Sequence, residues 1–395
     1  MIPTALPART SSLFLPALCL VGFFVGMGAS LPASMLQPLM DAFNTTFMGV
    51  SQLITSYLLA FAIAALLLGY GCDRVQRRKL LVPGLGLFCA STLALLVAPT
   101  LEIAITLRVV AGVAAAVIIP SALAVVTDEV APGRHVGALG LVMLAMSVGS
   151  SLGPGLGGML MDMQGWQAPL LLVAAGCALA ALLAGRYVPA RALPARQPQS
   201  PLGWAVLRPL FAKGAWCGIG VAGLSLSGVV LRERYGLSFS AAGASSTIYV
   251  GGMAVGYLAA GLVRRFLNRD EDLMLLAVLL LAAAMLVFAL APLPLPMAQA
   301  CLAVWGAALG LGAPAATAVL ADRAGQGKGM VLAFAEMFNV LAMAVALPMA
   351  FSLMSASGPK AAMGALLAVV AAGAWLVVLD WAATRGAKAQ AAPMV

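Results

Sequence analysis

One histidine and thirteen acidic residues are all that 395 positions offer for acid–base chemistry. Catalysis in a membrane or in water needs several such groups gathered in one place. Here His135 stands alone and the acids are scattered over different segments and depths, so no enzyme is expected. The six cysteines, at 19, 72, 89, 177, 217 and 301, form no Cys-x-x-Cys pair and no metal-ligand spacing. They sit in or beside apolar runs and read as small packing residues, with no metal and no cofactor implied. Charge as a whole is scarce, at 9% against 63% hydrophobic residues. A water-soluble chain of this length cannot hide that much apolar surface, so the expected solvent is lipid.

What is present are about twelve apolar segments long enough to span a bilayer as helices, at roughly 13–36, 47–70, 80–98, 101–126, 136–160, 167–185, 214–231, 240–263, 273–291, 297–321, 329–353 and 361–379. The first is too long for a signal peptide and the chain re-enters the membrane at once, so it is expected to stay as an uncleaved helix. With both termini placed in the cytoplasm, eighteen Lys and Arg fall on the inner side, Lys213 among them. Three (Arg232, Arg234 and Lys360) fall on the outer side, and Arg108 lies inside a span. That bias orients a membrane protein and explains the net charge of +9 without nucleic acid.

The stretch PARALPARQPQSPLG (189–203) has no apolar periodicity and separates two sets of about six spans. It is expected to be a cytoplasmic linker between six-helix bundles at 1–188 and 204–395. The two halves resemble each other. PSALAVVTDEV (120–130) matches PAATAVLADRA (314–324) at an offset of 194, and at that offset Gly112 meets Gly306, Pro120 meets Pro314, Asp128 meets Asp322, Arg134 meets Lys328 and Pro154 meets Pro348. A duplicated bundle implies two halves rocking about a central cavity. Arg108 maps onto Leu302, Gly149 and Gly153 onto Met343 and Leu347, and Glu336 onto Val142. Features of one half only are not demanded by the shared fold and are the better functional candidates.

Three motifs stand out. GYGCDRVQRRK (69–79) joins spans two and three. Its Asp73 can sit against a helix N-terminus, with the start of span eleven near Gly329 as the candidate, and its arginines can hold acids. LRVVAGVAAA (107–116) places a guanidinium within hydrocarbon, at a cost of roughly 2.5–3.5 kcal/mol on insertion scales. Arg108 should therefore meet a wet cavity, a neighbouring acid or an anionic substrate. GSSLGPGLGG (149–158) repeats glycine every four residues, at Gly149, Gly153 and Gly157, with Pro154 and Gly158 beside them. Such a face lets another helix come close. Span eight carries Gly252 and Gly256 at the same spacing, so spans five and eight are expected to pack face to face.

These motifs resemble signatures of the major facilitator superfamily, and together with SLPASMLQPLMDAF (30–43) they look like its drug/proton antiporter, bicyclomycin-resistance-like branch. Gln76 stands where the family's first motif has glycine, and Ala111 where the second has glutamine. The resemblance implies an all-α fold of twelve membrane helices in two pseudo-symmetric bundles. It implies a conformational latch from Gly69, Asp73, Arg74, Arg77, Arg78, Asp128 and Arg134. The glycine motif implies an antiporter, hence an exporter. Many relatives carry an acid a few residues before the Leu-Pro of span one; here Met27-Gly28-Ala29 has none.

Two acids can take over proton coupling beside Arg108. Glu336 lies about seven residues into span eleven with Asn339 one turn on, and Asp41 follows span one. A buried carboxylate favours its protonated form and can exchange protons near neutrality. His135 reads as a surface residue at a helix start. Phe23, Met27, Tyr57, Tyr249, Trp305, Phe338 and Asn339 are candidate walls of a substrate cavity suited to amphipathic molecules. The expected protein is a monomeric proton-coupled efflux antiporter of the bacterial inner membrane, exporting a drug or an endogenous metabolite such as a siderophore. A proton-coupled uptake symporter of the same fold is the alternative, and a non-transporting receptor or enzyme the remote one.

Overall fold

The structure, a computed structural model, describes residues 13–33, 35–190 and 203–391. Most of the 189–203 linker and the side chain of Pro154 lie outside the described parts. Among the described residues every regular element is a helix. They are α1 (Phe14–Ser30), the short α2 (Leu36–Phe43), α3 (Phe47–Cys72), α4 (Arg77–Ala94), α5 (Leu101–Glu129), α6 (His135–Gln164), α7 (Gln167–Tyr187), α8 (Trp204–Lys213), α9 (Ile219–Tyr235), α10 (Phe239–Arg265), α11 (Asp270–Leu290), α12 (Leu295–Ala324) and α13 (Lys328–Ala391). A π-helical turn, Gly214–Gly218, joins α8 to α9.

Local chemistry sets the boundaries. The side chains of Thr46, Thr100 and Ser238 accept the backbone N–H groups of Gly49, Ile103 and Ala241, capping α3, α5 and α10. Gly236, at φ 65°, ends α9 in the left-handed conformation that costs glycine nothing. The long α13 is broken at Gly358 (φ 83°, ψ 173°), which separates the eleventh apolar segment from the twelfth. Each apolar segment therefore falls on a helix. The seventh is displaced: it starts at Trp204, ten residues before the predicted 214.

The chain divides into two compact units, Met1–Ala131 with Ala145–Ala195, and Pro132–Leu144 with Arg196–Val395. The first turns of α6 thus belong with the second unit. The internal repeat is legible inside each unit. In the first, Gly112 brings α5 so close to α3 that any added Cβ would collide with the carbonyl oxygen of Tyr57. In the second, its repeat partner Gly306 brings α12 against α10, and a Cβ there would collide with the carbonyl of Tyr249. The starts of α4 and α11 also pair with the ends of α5 and α12, with the sign reversed at the matching positions 77 and 271 and the partner Arg323 one residue past the match of Asp128. Arg77 meets Asp128 at 3.6 Å, whereas Glu271, 194 positions on, meets Arg323 at 3.0 Å. Arg323 also holds Asp380, whose side chain is completely buried, at 2.8 Å. Several basic residues counted toward membrane orientation are thus neutralised in place.

The expected pairing of glycine faces is corrected. Gly149 packs against the carbonyl of Phe23 in α1, and a Cβ on Gly153 would lie 2.8 Å from Ser30 Oγ and 3.2 Å from the Met27 carbonyl. Gly252 and Gly256 pack against the carbonyls of Ala303 and Ala307 in α12, and Gly310 of α12 answers against Met253. Helices α6 and α10 do meet within the second unit, at the start of α6 and toward the end of α10, where Gly137 faces Gly261 and Gly140 faces the Tyr257 carbonyl. A strip of glycines every four residues fixes which face is smooth; it does not fix which helix lies on it. Gly157 is buried and Gly158 half-buried, the latter with open space where a Cβ would stand.

This packing carries a prediction. Gly252→Leu must push α10 and α12 apart, and overpacking of this kind costs about 1–3 kcal/mol or more. Thermal unfolding of the purified protein should show a clear loss of stability. Gly251→Leu, one residue away and facing open space, should leave the melting temperature unchanged. Equal effects of the two would show that the close approach does not matter.

Candidate functional site

Arg108 is 5% exposed in the middle of the first unit. Its Nε donates to the carbonyl of Leu53 at 3.2 Å, Nη1 to Gly28 at 3.2 Å and Nη2 to Ala29 at 3.4 Å. The guanidinium carbon sits 4.5 Å from the centre of the Tyr57 ring. The sequence explains why the Gly28 and Ala29 carbonyls are free. They close α1, and Pro32 has no N–H to give the Gly28 carbonyl four residues back. The negative end of the helix dipole adds to the attraction. Arg108 thus ties two carbonyls at the end of α1 to one in α3 over an aromatic face, where the sequence left a wet cavity, a neighbouring acid or an anionic substrate open. A void about the size of one water molecule adjoins it, lined by Gly28, Ser91 and Thr92 among others.

The second unit holds a buried ion pair. Lys213 Nζ lies 2.8 Å from Glu336 Oε1, with the two side chains 1% and 15% exposed. Asn339 Nδ2 donates to the other carboxylate oxygen, Oε2, at 3.2 Å. Lys213 was assigned to the cytoplasmic surface from the sequence; it is instead the last residue of α8, about nine residues or roughly 14 Å into a helix that starts at Trp204. The π-turn follows it directly, and such turns are frequent at functional positions. Gly214 and Gly218 bring this turn against α13, since a Cβ on either would lie 2.8 Å from Phe338 Cβ or 2.7 Å from Ala342 Cβ. Small residues on one helix therefore set the distance between the two charges. A pair of glycines four apart directly after a lysine was the available signal.

Of the other candidate couplers, Asp41 is exposed in α2 and accepts a hydrogen bond from Gln37 at 3.1 Å. His135 begins α6 as expected but is buried, 3% exposed, with Nδ1 3.5 Å from Asp322 Oδ1. In the latch segment Asp73 closes α3 and binds Arg77 at 2.8 Å, and the same Arg77 reaches Asp128. Gly69 is buried, Arg78 half-buried, and Arg74 and Arg134 are exposed.

The expected cavity walls are used for packing. Met27 and Tyr57 are buried beneath Gly153 and Arg108. Tyr249 and Trp305 are buried and both donate to the Gly220 carbonyl, at 3.4 and 3.1 Å. Phe23 stacks edge-on with Phe24, and Phe338 with Phe211. Only Phe23, Phe338 and Asn339 keep partial exposure. Large aromatics in a helix bundle find their best contacts inside it, and a single sequence does not say which way each turns.

The family model for the Major Facilitator Superfamily matches residues 18–231. The methylenomycin A resistance protein of Streptomyces coelicolor is 30% identical over 151 residues, 38% of this chain and 32% of that protein. Multidrug resistance protein 1 of Bacillus subtilis is 28% identical over 160 residues, 40% of each chain. These matches span well under half the length of either relative. Among solved structures, the human organic anion transporter MFSD10 superposes with a TM-score of 0.72 at 19% identity, over 92% of this chain and 97% of that one. A bacterial homologue of the iron transporter ferroportin, in an outward-facing state, superposes with a TM-score of 0.78 at 12% identity, over 93% and 99%. At these identities the superpositions show the fold, and the matched family model shows the kinship. With helices as every regular element among the described residues, eight of them long and apolar enough to cross a membrane, and with its internal repeat, this chain belongs to the major facilitator superfamily.

Proposed function

We propose that the chain is a proton-coupled exporter of small organic compounds, drugs or endogenous metabolites such as a siderophore. It works as a monomer by alternating access in a bacterial cytoplasmic membrane, both termini inside. The observation that carries this reading is the buried pair of Lys213 and Glu336, 2.8 Å apart. The pair is neutral while Glu336 is ionised. A proton on Glu336 leaves the Lys213 charge without its counter-ion, and a buried site tolerates one excess charge poorly and two not at all. A cationic substrate near Glu336 adds the same single charge. Proton and substrate therefore exclude one another, which is what antiport requires. The resistance proteins among the relatives support export.

The pair also defines the alternative. If the substrate were an acid, a proton on Glu336 would free Lys213 to hold its anion. Proton and substrate would then bind together, and the same site would drive uptake. The experiment is to compare small molecules inside and outside cells with and without the gene, in rich and in iron-limited medium. A compound trapped inside deletion cells supports export and names the cargo; a compound left unconsumed outside them overturns it in favour of uptake. Glu336→Gln, neutral like the protonated acid, should lose binding of a cationic substrate together with its response to an imposed pH gradient in everted vesicles. An unchanged pH response would remove Glu336 from the coupling role.

A further inference from the structure

A cleft of about 220 Å³ lies in the second unit where α9 and α11 end and the chain resumes as a helix after the Gly358 break. It is lined by Val230, Glu233, Arg234, Ala289, Pro359, Lys360 and Met363. Two of its seven residues are cations, although only three of the chain's basic residues were assigned to the outer side. Arg234 is anchored rather than mobile. Its Nη1 donates to the Phe288 carbonyl at 2.8 Å and its Nη2 to Ala289 at 3.2 Å, with the guanidinium 5.7 Å from the Phe288 ring centre. These bonds hold the guanidinium in place and leave donors unused, its Nε among them. Lys360 is exposed, and no described carboxylate pairs with it. Glu233, also exposed, contributes the one negative charge, so the lining is net positive.

Beside the cleft, α11 presents an apolar stripe to its surroundings: Leu286, Val287 and Leu290 are 44%, 43% and 68% exposed. An anchored arginine and an exposed lysine next to an outward-facing apolar stripe match an amphipathic anion, with the charge and the chain at the right ends. We propose that this cleft binds the phosphodiester headgroup of an anionic phospholipid, whose acyl chains lie along Leu286 and Leu290 of α11. Arg234 fixes the phosphate by its free donors, and Lys360 closes over it from the start of the last helical stretch. Glu233 weakens the site, by charge alone.

The test titrates the purified full chain in neutral detergent with short-chain phosphatidylglycerol and, separately, short-chain phosphatidylcholine, reading bound lipid by native mass spectrometry. The parent should prefer phosphatidylglycerol. Lys360→Gln and Arg234→Gln should each reduce that preference about five-fold, and Glu233→Gln should raise it. Arg234→Gln also uncaps α11, so the exposed Lys360→Gln is the decisive variant. Equal binding of the two lipids, or an unchanged preference in Lys360→Gln, overturns the proposal. Displacement of phosphatidylglycerol by millimolar inorganic phosphate also overturns it, because the site would then bind a free anion and the apolar stripe would add nothing.

Discussion

Lys213→Met should abolish pH-driven transport and destabilise the protein more than any substitution of an exposed basic residue. The change removes one member of a pair whose two side chains are 1% and 15% exposed, and strands the Glu336 carboxylate in the interior. Breaking a buried pair from one side costs about 3–5 kcal/mol, far above the roughly 0–1 kcal/mol of a surface pair. The informative variant is the double one. In Lys213→Met with Glu336→Gln no charge is left buried, and Asn339 can still bond the new amide. Most of the lost thermal stability should return, while coupling to a pH gradient should not. If the double variant is no more stable than Lys213→Met alone, the two residues do not act as a pair and Glu336 loses its claim as the proton-carrying acid.

The second large effect belongs to Arg108. In Arg108→Ala three carbonyls lose their donor, two of them at the closing turn of α1. Leu53, inside α3, keeps the Ser56 hydroxyl, but the two carbonyls of α1 are left unpaired at about 1–3 kcal/mol each, so the loss of stability should reach about 2–6 kcal/mol. Arg108→Lys should fall in between, because an ammonium on a flexible stem cannot bond carbonyls in two helices and sit on the Tyr57 ring at once. The structure also supplies a rescue. Pro32→Ala gives the chain the N–H that the Gly28 carbonyl lacks. Added to Arg108→Ala, it should recover part of the stability. Transport should stay lost if the guanidinium also acts in the cycle. Recovery of transport together with stability would reduce Arg108 to a helix cap.

These two sites show where the sequence could be read and where it could not. The apolar lengths and the 194-residue repeat are local or periodic, and each has its counterpart in the helices. Arg108 was recognisable as a cation within hydrocarbon, but a wet cavity, an acid or an anionic substrate was expected beside it rather than backbone carbonyls. Pro32, which frees the Gly28 carbonyl, was the better signal. Lys213 was misplaced because Arg208, Pro209 and Lys213 lower the hydropathy of the ten residues that make up α8, and a hydropathy reading puts such residues at the surface. Only contact with Glu336, 123 positions away, makes the inside tolerable for it. The glycine strips failed in a third way. Their spacing is a property of one helix, and the choice of neighbour is a property of the bundle. Met27, Tyr57, Tyr249 and Trp305 share that limit, since an aromatic or a methionine looks the same in sequence whether it lines a cavity or fills a core.

The π-turn at Gly214–Gly218 has one more effect, on phase. Closing i to i+5 instead of i to i+4 takes up one residue more than an α-helical turn, and each residue is worth about 100° of rotation. Side chains before and after this turn are therefore out of step by about that angle, so residues 204–213 and 219–235 cannot be placed on a single helical wheel. A scan of substitutions along this stretch should show sensitive positions in two series, each with the period of an α-helix, offset from each other at the turn. Deleting one residue from 214–218 would merge the series and swing Lys213 off the Glu336 side of the helix, undoing the pair without altering either of its members.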